Sequence, residues 1–177
     1  MHDVFDMQSS DYESVIDRTG FDPDRLDIEQ SDQHFAVLDN KQQIRARCSI
    51  WWRDSARVNE TPTGTIGHYA ATDEAFGATA LEVACRELRN RGCELAVGPM
   101  DGNTWRRYRF VTERGTCKPF FLEPDNPDEY PIHFKRYGFS TLASYVSEIN
   151  PAMVSRQPEL GDLRRKMKSL KIESASI

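Results

Sequence analysis

Metal and disulfide chemistry have little to work with in this chain. Its four cysteines are Cys48, Cys85, Cys93 and Cys117, and no two stand in a CxxC spacing. His2, His34, His68 and His133 are scattered, so no zinc constellation is visible. The expectation is free, mostly buried thiols in a reducing compartment, and no metal. No apolar run approaches a membrane span, and Met1-His2-Asp3 opens on an acid where a signal peptide carries bases. A cytoplasmic protein with no membrane partner is expected. There is no internal repeat and no low-complexity segment. Positive charge is in deficit: the net charge of −5 weighs against a nucleic-acid partner.

What is present suits one globular domain. A chain of 177 residues can bury a sizeable core, and its 29% charged share is that of a soluble protein. The charge is uneven. Residues 1–32 hold ten acids and two bases, and residues 153–177 hold six bases and three acids. Two solvated ends explain this; an acidic rim that attracts a cationic acceptor is the functional alternative.

The organising stretch runs from Gly64 to Met100. Thr65 to Ala71 is short, β-branched and aromatic, and reads as a strand. Phe76, Ala80, Ala84 and Leu88 then recur every fourth residue, widened by Leu81 and Cys85, with Arg86, Glu87, Arg89, Asn90 and Arg91 opposite. Gly92 stops that helix behind basic residues that suit the negative end of its dipole. Leu95-Ala96-Val97 follows as a buried strand ending in Gly98-Pro99. Such a β-α-β unit is a right-handed crossover, with the helix N-terminus at the carboxyl end of the first strand.

The rest is placed around this unit. Asp11 to Thr19 predicts a short helix in an acidic, helical N-terminal part (1–32). His34 to Leu38 and Ile44 to Trp52 predict two strands joined by an Asp39-Asn40 turn. On the second, Ile44, Ala46, Cys48 and Ile50 point one way, and Arg45, Arg47, Ser49 and Trp51 the other. Trp51 and Trp52 therefore face opposite sides, one to the core and one to the acceptor side. In the strand after them, His68 shares a face with Ile66 and Ala70. Asn103 or Thr104 caps a predicted helix carrying Trp105 and Tyr108. Asp128 caps another through Tyr137, ended by Gly138. Phe139 to Ile149 predicts a final long strand, and Pro158 to Leu170 an amphipathic helix within a separate tail, 153–177.

The order is strand, strand, strand, helix, strand, helix, helix, strand. With Gly98-Pro99-Met100-Asp101-Gly102-Asn103-Thr104, Glu123-Pro124-Asp125-Asn126-Pro127 and Arg136-Tyr137-Gly138-Phe139, it resembles the GNAT superfamily, the Gcn5-related N-acetyltransferases, over roughly residues 33–150. The resemblance implies an α/β chain (α+β by some schemes) with the GNAT fold in residues 1–152. It also implies a mixed sheet of about six or seven strands, splayed between the fourth and fifth.

It further implies acyl-CoA, acetyl-CoA above all, as co-substrate. The pantetheine arm would bond along the splayed strand at Tyr69, Ala70 and Ala71, with Asn103 and Phe134 nearby. The pyrophosphate would lie on the loop of Thr72, Phe76, Gly77, Ala78 and Thr79. The family's loop is Arg/Gln-x-x-Gly-x-Gly/Ala; here Thr72 and Ala75 depart from it and Gly77 fits. Asp73 and Glu74 place two acids at the phosphate position, where they also complement a helix dipole. Many relatives place a tyrosine four residues before the glycine of Gly-Phe; here that residue is Phe134, so Tyr137, then Tyr130, become the proposed proton donors. His68 is the candidate base for the amine, against a purely structural role. Two functions stand. One is N-acyl transfer to a small-molecule or peptide amine. The other is a degenerate GNAT-fold module that binds a ligand or protein without turnover. A homodimer is left open.

Overall fold

In the computed structural model, residues 3–7, 31–53, 55, 57–116 and 123–147 are described. The chain divides into two compact units, 1–140 and 141–177. The expected helices at Asp11–Thr19 and Pro158–Leu170 lie outside the described residues.

The first unit is built on a five-stranded sheet in the order β1-β2-β3-β4-β5. Its strands are β1 (Asp3–Met7), β2 (Gln33–Leu38), β3 (Ile44–Trp51), β4 (Thr63–Ala71) and β5 (Leu95–Val97). The first four form an antiparallel meander, and β5 returns parallel to β4 after helix α1 (Glu74–Asn90). Helix α2 (Glu129–Tyr137) follows.

Local physics explains most of these elements. Asp73 caps α1, its carboxylate accepting from the Phe76 amide at 3.1 Å. At the other end Gly92 adopts φ +85°, and the Cys93 amide reaches back to the Leu88 carbonyl at 3.0 Å. That is the Schellman closure, which an L side chain at Gly92 would strain. The buried face of α1 carries Gly77, Ala80, Leu81, Val83, Ala84 and Leu88. It packs across β2, β3 and β4 on Phe35, Val37, Ala46, Cys48, Ile50 and Ile66. Burial of each large aliphatic side chain there contributes about 1.5–3 kcal/mol. Helix α2 seals the end of this core with Phe134, which touches Tyr69, Phe110 and Phe139.

Four expectations are corrected. Residues 3–7 form a strand, not part of a helical segment, because β2 offers them a full register from Asp3↔Leu38 to Met7↔His34. The sheet has five strands among the described residues instead of about six or seven. No helix follows Asn103; its side chain accepts from the Trp105 amide at 3.0 Å, a closed turn that competes with helix. Residues 139–147 contain no strand, since an alternating pattern makes one only where another edge pairs with it.

The fifth finding concerns β4 itself. Arg47 pairs with Ala70 and Ser49 with Gly67, so His68 and Tyr69 together oppose Cys48. This is a β-bulge, with His68 at φ +47°. The extra residue re-aims the side chains. Ile66 stays in the core, while His68 turns to the face of Ser49 and Trp51. The expected shared face of His68, Ile66 and Ala70 is thereby overturned.

Candidate functional site: the bulge and splay of β4

Strand β5 pairs with β4 only at Thr63, Gly64 and Thr65. Beyond that point the two diverge, and other groups occupy the edge of β4 that β5 leaves unpaired. The Met100 amide donates to the Ile66 carbonyl at 2.8 Å. The His68 amide donates to Asp101 Oδ1 at 2.7 Å, and the Ala71 amide to the Tyr130 hydroxyl at 3.3 Å.

Asp101 is placed by the loop that leaves β5. Met100 and Tyr108 form a bridge, and the Asp101 amide donates to the Arg107 carbonyl at 2.8 Å. Gly102, at φ +83°, lies flat on the Trp51 indole, where an added Cβ would come within 3.1 Å of Nε1. The loop therefore covers the face of the sheet opposite α1, and Trp105 projects from its tip almost fully exposed.

Under this loop lies a chain of polar side chains. Asp101 Oδ2 stands 3.6 Å from His68 Nε2. His68 Nδ1 is 2.8 Å from Ser49 Oγ, Ser49 Oγ is 2.5 Å from His34 Nδ1, and His34 Nε2 is 2.6 Å from Ser31 Oγ. The two imidazoles lie nearly parallel, 11° apart with centroids at 5.9 Å, and Trp51 meets His68 edge-on at 5.2 Å. Ser49 is fully buried and His34 nearly so. Desolvation first, then His34, Arg47, Arg106 and Arg107, push His68 down to about 3, so it is neutral at pH 7. Burial raises the Asp101 carboxyl above its ordinary value, against the His68 amide and the same arginines. Ser49, His68 and Asp101 have the composition of a hydrolase triad. At 0% exposure, however, Ser49 cannot meet a substrate carbonyl.

A second cluster lines the splay from the α2 side. Tyr69 Oη is 2.9 Å from His133 Nδ1, and the Tyr69 ring meets Tyr130 and Phe134 edge-on at 5.1 and 5.0 Å. Gly77 lets α1 approach: a Cβ there would collide with the Tyr69 hydroxyl and stand 3.0 Å from His133 Nδ1. Desolvation pushes the hydroxyls of Tyr69 and Tyr130 up, so both stay protonated.

The sequence-derived residues thus separate into groups. Tyr69, Ala70, Ala71, Tyr130 and Phe134 meet at the splay, with Phe134 buried as core. Tyr137 does not join them; its ring lies tilted against Phe139 with centroids 6.1 Å apart, and its hydroxyl lies on the side of Cys85 on α1. Asn103 is exposed in its turn. Thr72 precedes the Asp73 cap, and Phe76, Gly77, Ala78 and Thr79 lie in the first turns of α1, where the amides of Glu74 and Ala75 fall outside the helical ladder. The two acids there have structural partners: Asp73 is the cap, and Glu74 forms an ion pair with Arg136. Among the described residues no cluster of side chains suits a metal ion, and no helix is long and apolar enough to cross a membrane. The sequence did not single out His34, Ser49 or Asp101. A short polar side chain amid the apolar alternation of β3 was the one signal for Ser49.

No protein-family model matches the chain, and no curated protein does. Solved structures do. A ribosomal-protein-alanine N-acetyltransferase from Brucella melitensis biovar Abortus 2308 aligns with TM-score 0.51 and 10% identity, over 84% of this chain and 100% of that one. The AAC(6')-Iy structure with a CoA bisubstrate analogue gives 0.53 and 11%, over 85% and 98%. A transcriptional regulator from Bacillus halodurans C-125 gives 0.52 and 11%, over 85% and 100%. The likeness is one of fold: this chain has the GNAT fold, a mixed sheet with parallel β4 and β5 flanked by helices.

Proposed function

We propose that the protein transfers an acyl group, acetyl in the simplest case, from coenzyme A to the amine of a small molecule or peptide. The observation that carries this reading is the loss of β4–β5 pairing after Thr65, with the bulged His68 and Asp101 next to it beneath the covering loop.

The residues present fit a bound acyl-CoA. Helix α1 offers the amides of Glu74 and Ala75 to a pyrophosphate, and Arg136 neutralises the carboxylate beside them. The Ala71 amide is held by a long 3.3 Å bond to a hydroxyl, which an incoming carbonyl can replace. When bound, the thioester supplies the activated acyl carbon. Asp101 attracts the acceptor's ammonium group, and neutral His68 takes its proton through Nε2. Tyr130, with its hydroxyl on the β4 edge, is the donor for the departing thiolate; Tyr137 lies on the Cys85 side instead.

A second reading, a module without turnover, draws on a specific observation. The amides of His68 and Ala71 already have partners in Asp101 and Tyr130. Calorimetry with acetyl-CoA, followed by thiol release across a panel of amines, separates the two. Binding with amine-dependent thiol release is the expected result. Binding without release on any amine favours the module, and no binding of acetyl-CoA or longer acyl-CoA refutes both the cofactor and the reaction.

A further inference from the structure

We infer that His68, Ser49, His34 and Ser31 form a proton relay across the sheet, from the open edge of β4 through β3 to the start of β2. It rests on the acyl-transfer reading for its proton source, the acceptor amine.

The geometry requires a directed chain. A serine hydroxyl has one proton and two lone pairs. Ser49 is fully buried, and among the described residues its hydroxyl meets only the two imidazole nitrogens, so satisfying its proton makes it donate to one and accept from the other. If it accepts from His68 Nδ1–H, it donates to His34 Nδ1, and His34 Nε2–H then donates to Ser31. If it donates to His68, every link reverses. These links therefore have two hydrogen-bonded arrangements, related by one proton shift at each link.

The transfer balances. The acceptor's N–H proton passes to His68 Nε2, and the His68 Nδ1–H proton passes to Ser49 Oγ. The Ser49 proton moves to His34 Nδ1, the His34 Nε2 proton to Ser31 Oγ, and the Ser31 hydroxyl proton to water. One proton reaches the half-exposed Ser31, no charge remains inside, and nothing is oxidised. Burial of Ser49 and His34 keeps water out of the middle of the path. The groups facing His68 are His34 on β2, Arg47 on β3, and Asp101, Arg106 and Arg107 on the covering loop. Four of the five make a stored imidazolium unfavourable, so a base in this position functions best if it passes its proton on. A histidine held only for packing would need one partner. Ser49 and His34 touch no reactant; they act through His68.

The test has two arms. Imidazole nitrogen NMR at pH 7 reads the tautomers of His34 and His68 without any need for activity. In the parent their hydrogen positions should be linked in the sense above, and Ser49→Ala should change the His34 tautomer ratio, while Ser49→Thr retains the parent pattern. An unchanged His34 in Ser49→Ala overturns the relay. Should the Ala variant fail to fold, Ser49→Cys keeps the volume and substitutes a poor hydrogen-bonding group. The second arm is turnover on the amine found active. Ser49→Ala should lower kcat by about 10-fold or more at neutral pH, with the KM for acetyl-CoA unchanged. The loss should shrink as pH rises above the acceptor's own pKa, where the amine arrives deprotonated. An equal loss at every pH would mean structural damage and would overturn the proposal. Linked tautomers in a protein that acylates no amine would refute the acyl-transfer reading, and with it the relay's proton source, while the directed hydrogen-bonded chain would stand; unlinked tautomers in an active protein would overturn the relay alone.

Discussion

His68 should make the protein acid-sensitive in a window set by its burial. Its folded value lies near 3, against about 6.5 in an unfolded chain. Between those limits the unfolded state binds a proton that the folded state refuses. Stability from the neutral imidazole is therefore present above pH 6.5 and is lost as pH falls toward 3. At 1.36 kcal/mol per unit, lowering the pH from 7 to 5 should remove about 2 kcal/mol through this residue alone. Asp101 acts in the opposite sense, because its raised carboxyl value favours the folded state as pH falls. It is present in both proteins compared, so a subtraction removes most of its contribution. The perturbation is His68→Asn, chosen because asparagine tolerates the left-handed backbone at φ +47°. Urea unfolding of parent and variant at pH 7, 6 and 5, followed by tryptophan fluorescence, gives the two pH slopes. The parent should lose about 2 kcal/mol more than the variant between pH 7 and 5. Parallel slopes would show that His68 titrates as if in water, and would refute the desolvated placement under the 99–109 loop.

Two further outcomes probe the splay. Gly77→Ala drives a methyl into the Tyr69 hydroxyl and toward His133, and should destabilise the protein by about 1–3 kcal/mol; an unchanged melting temperature would mean that α1 does not approach Tyr69 so closely. Tyr130→Phe should reduce turnover by about 10²-fold with acetyl-CoA affinity nearly retained, while Tyr137→Phe leaves turnover unchanged; the reverse pattern would return the proton donor to Tyr137.

The elements that depend on near neighbours in the chain are legible in the amino-acid order alone. Helix α1 follows from apolar residues at every fourth position, from Asp73 ahead of its first turn and from Gly92 after its last, all contacts within a few residues. The inward face of β3 follows from strict alternation, and Ile44, Ala46, Cys48 and Ile50 are all buried. The order of elements around Gly98-Pro99, with the GNAT resemblance it carries, is enough to expect the β2–β3–β4 meander, the parallel return of β5 and its early departure from β4. Tertiary structure alone decided the rest. Strand β1 carries two acids and pairs because β2 presents an edge. Asn103 closes a turn because the loop is already fastened between Met100 and Tyr108. The bulge exists because β3 and β4 differ by one residue in register, which neither strand's own pattern records. That single residue turns His68 away from the core. It sets His68 beside Ser49 from 19 positions earlier and above Asp101 from 33 positions later. Hydrogen bonds across such separations depend on which strands become neighbours, and spacing along the chain carries no information about that.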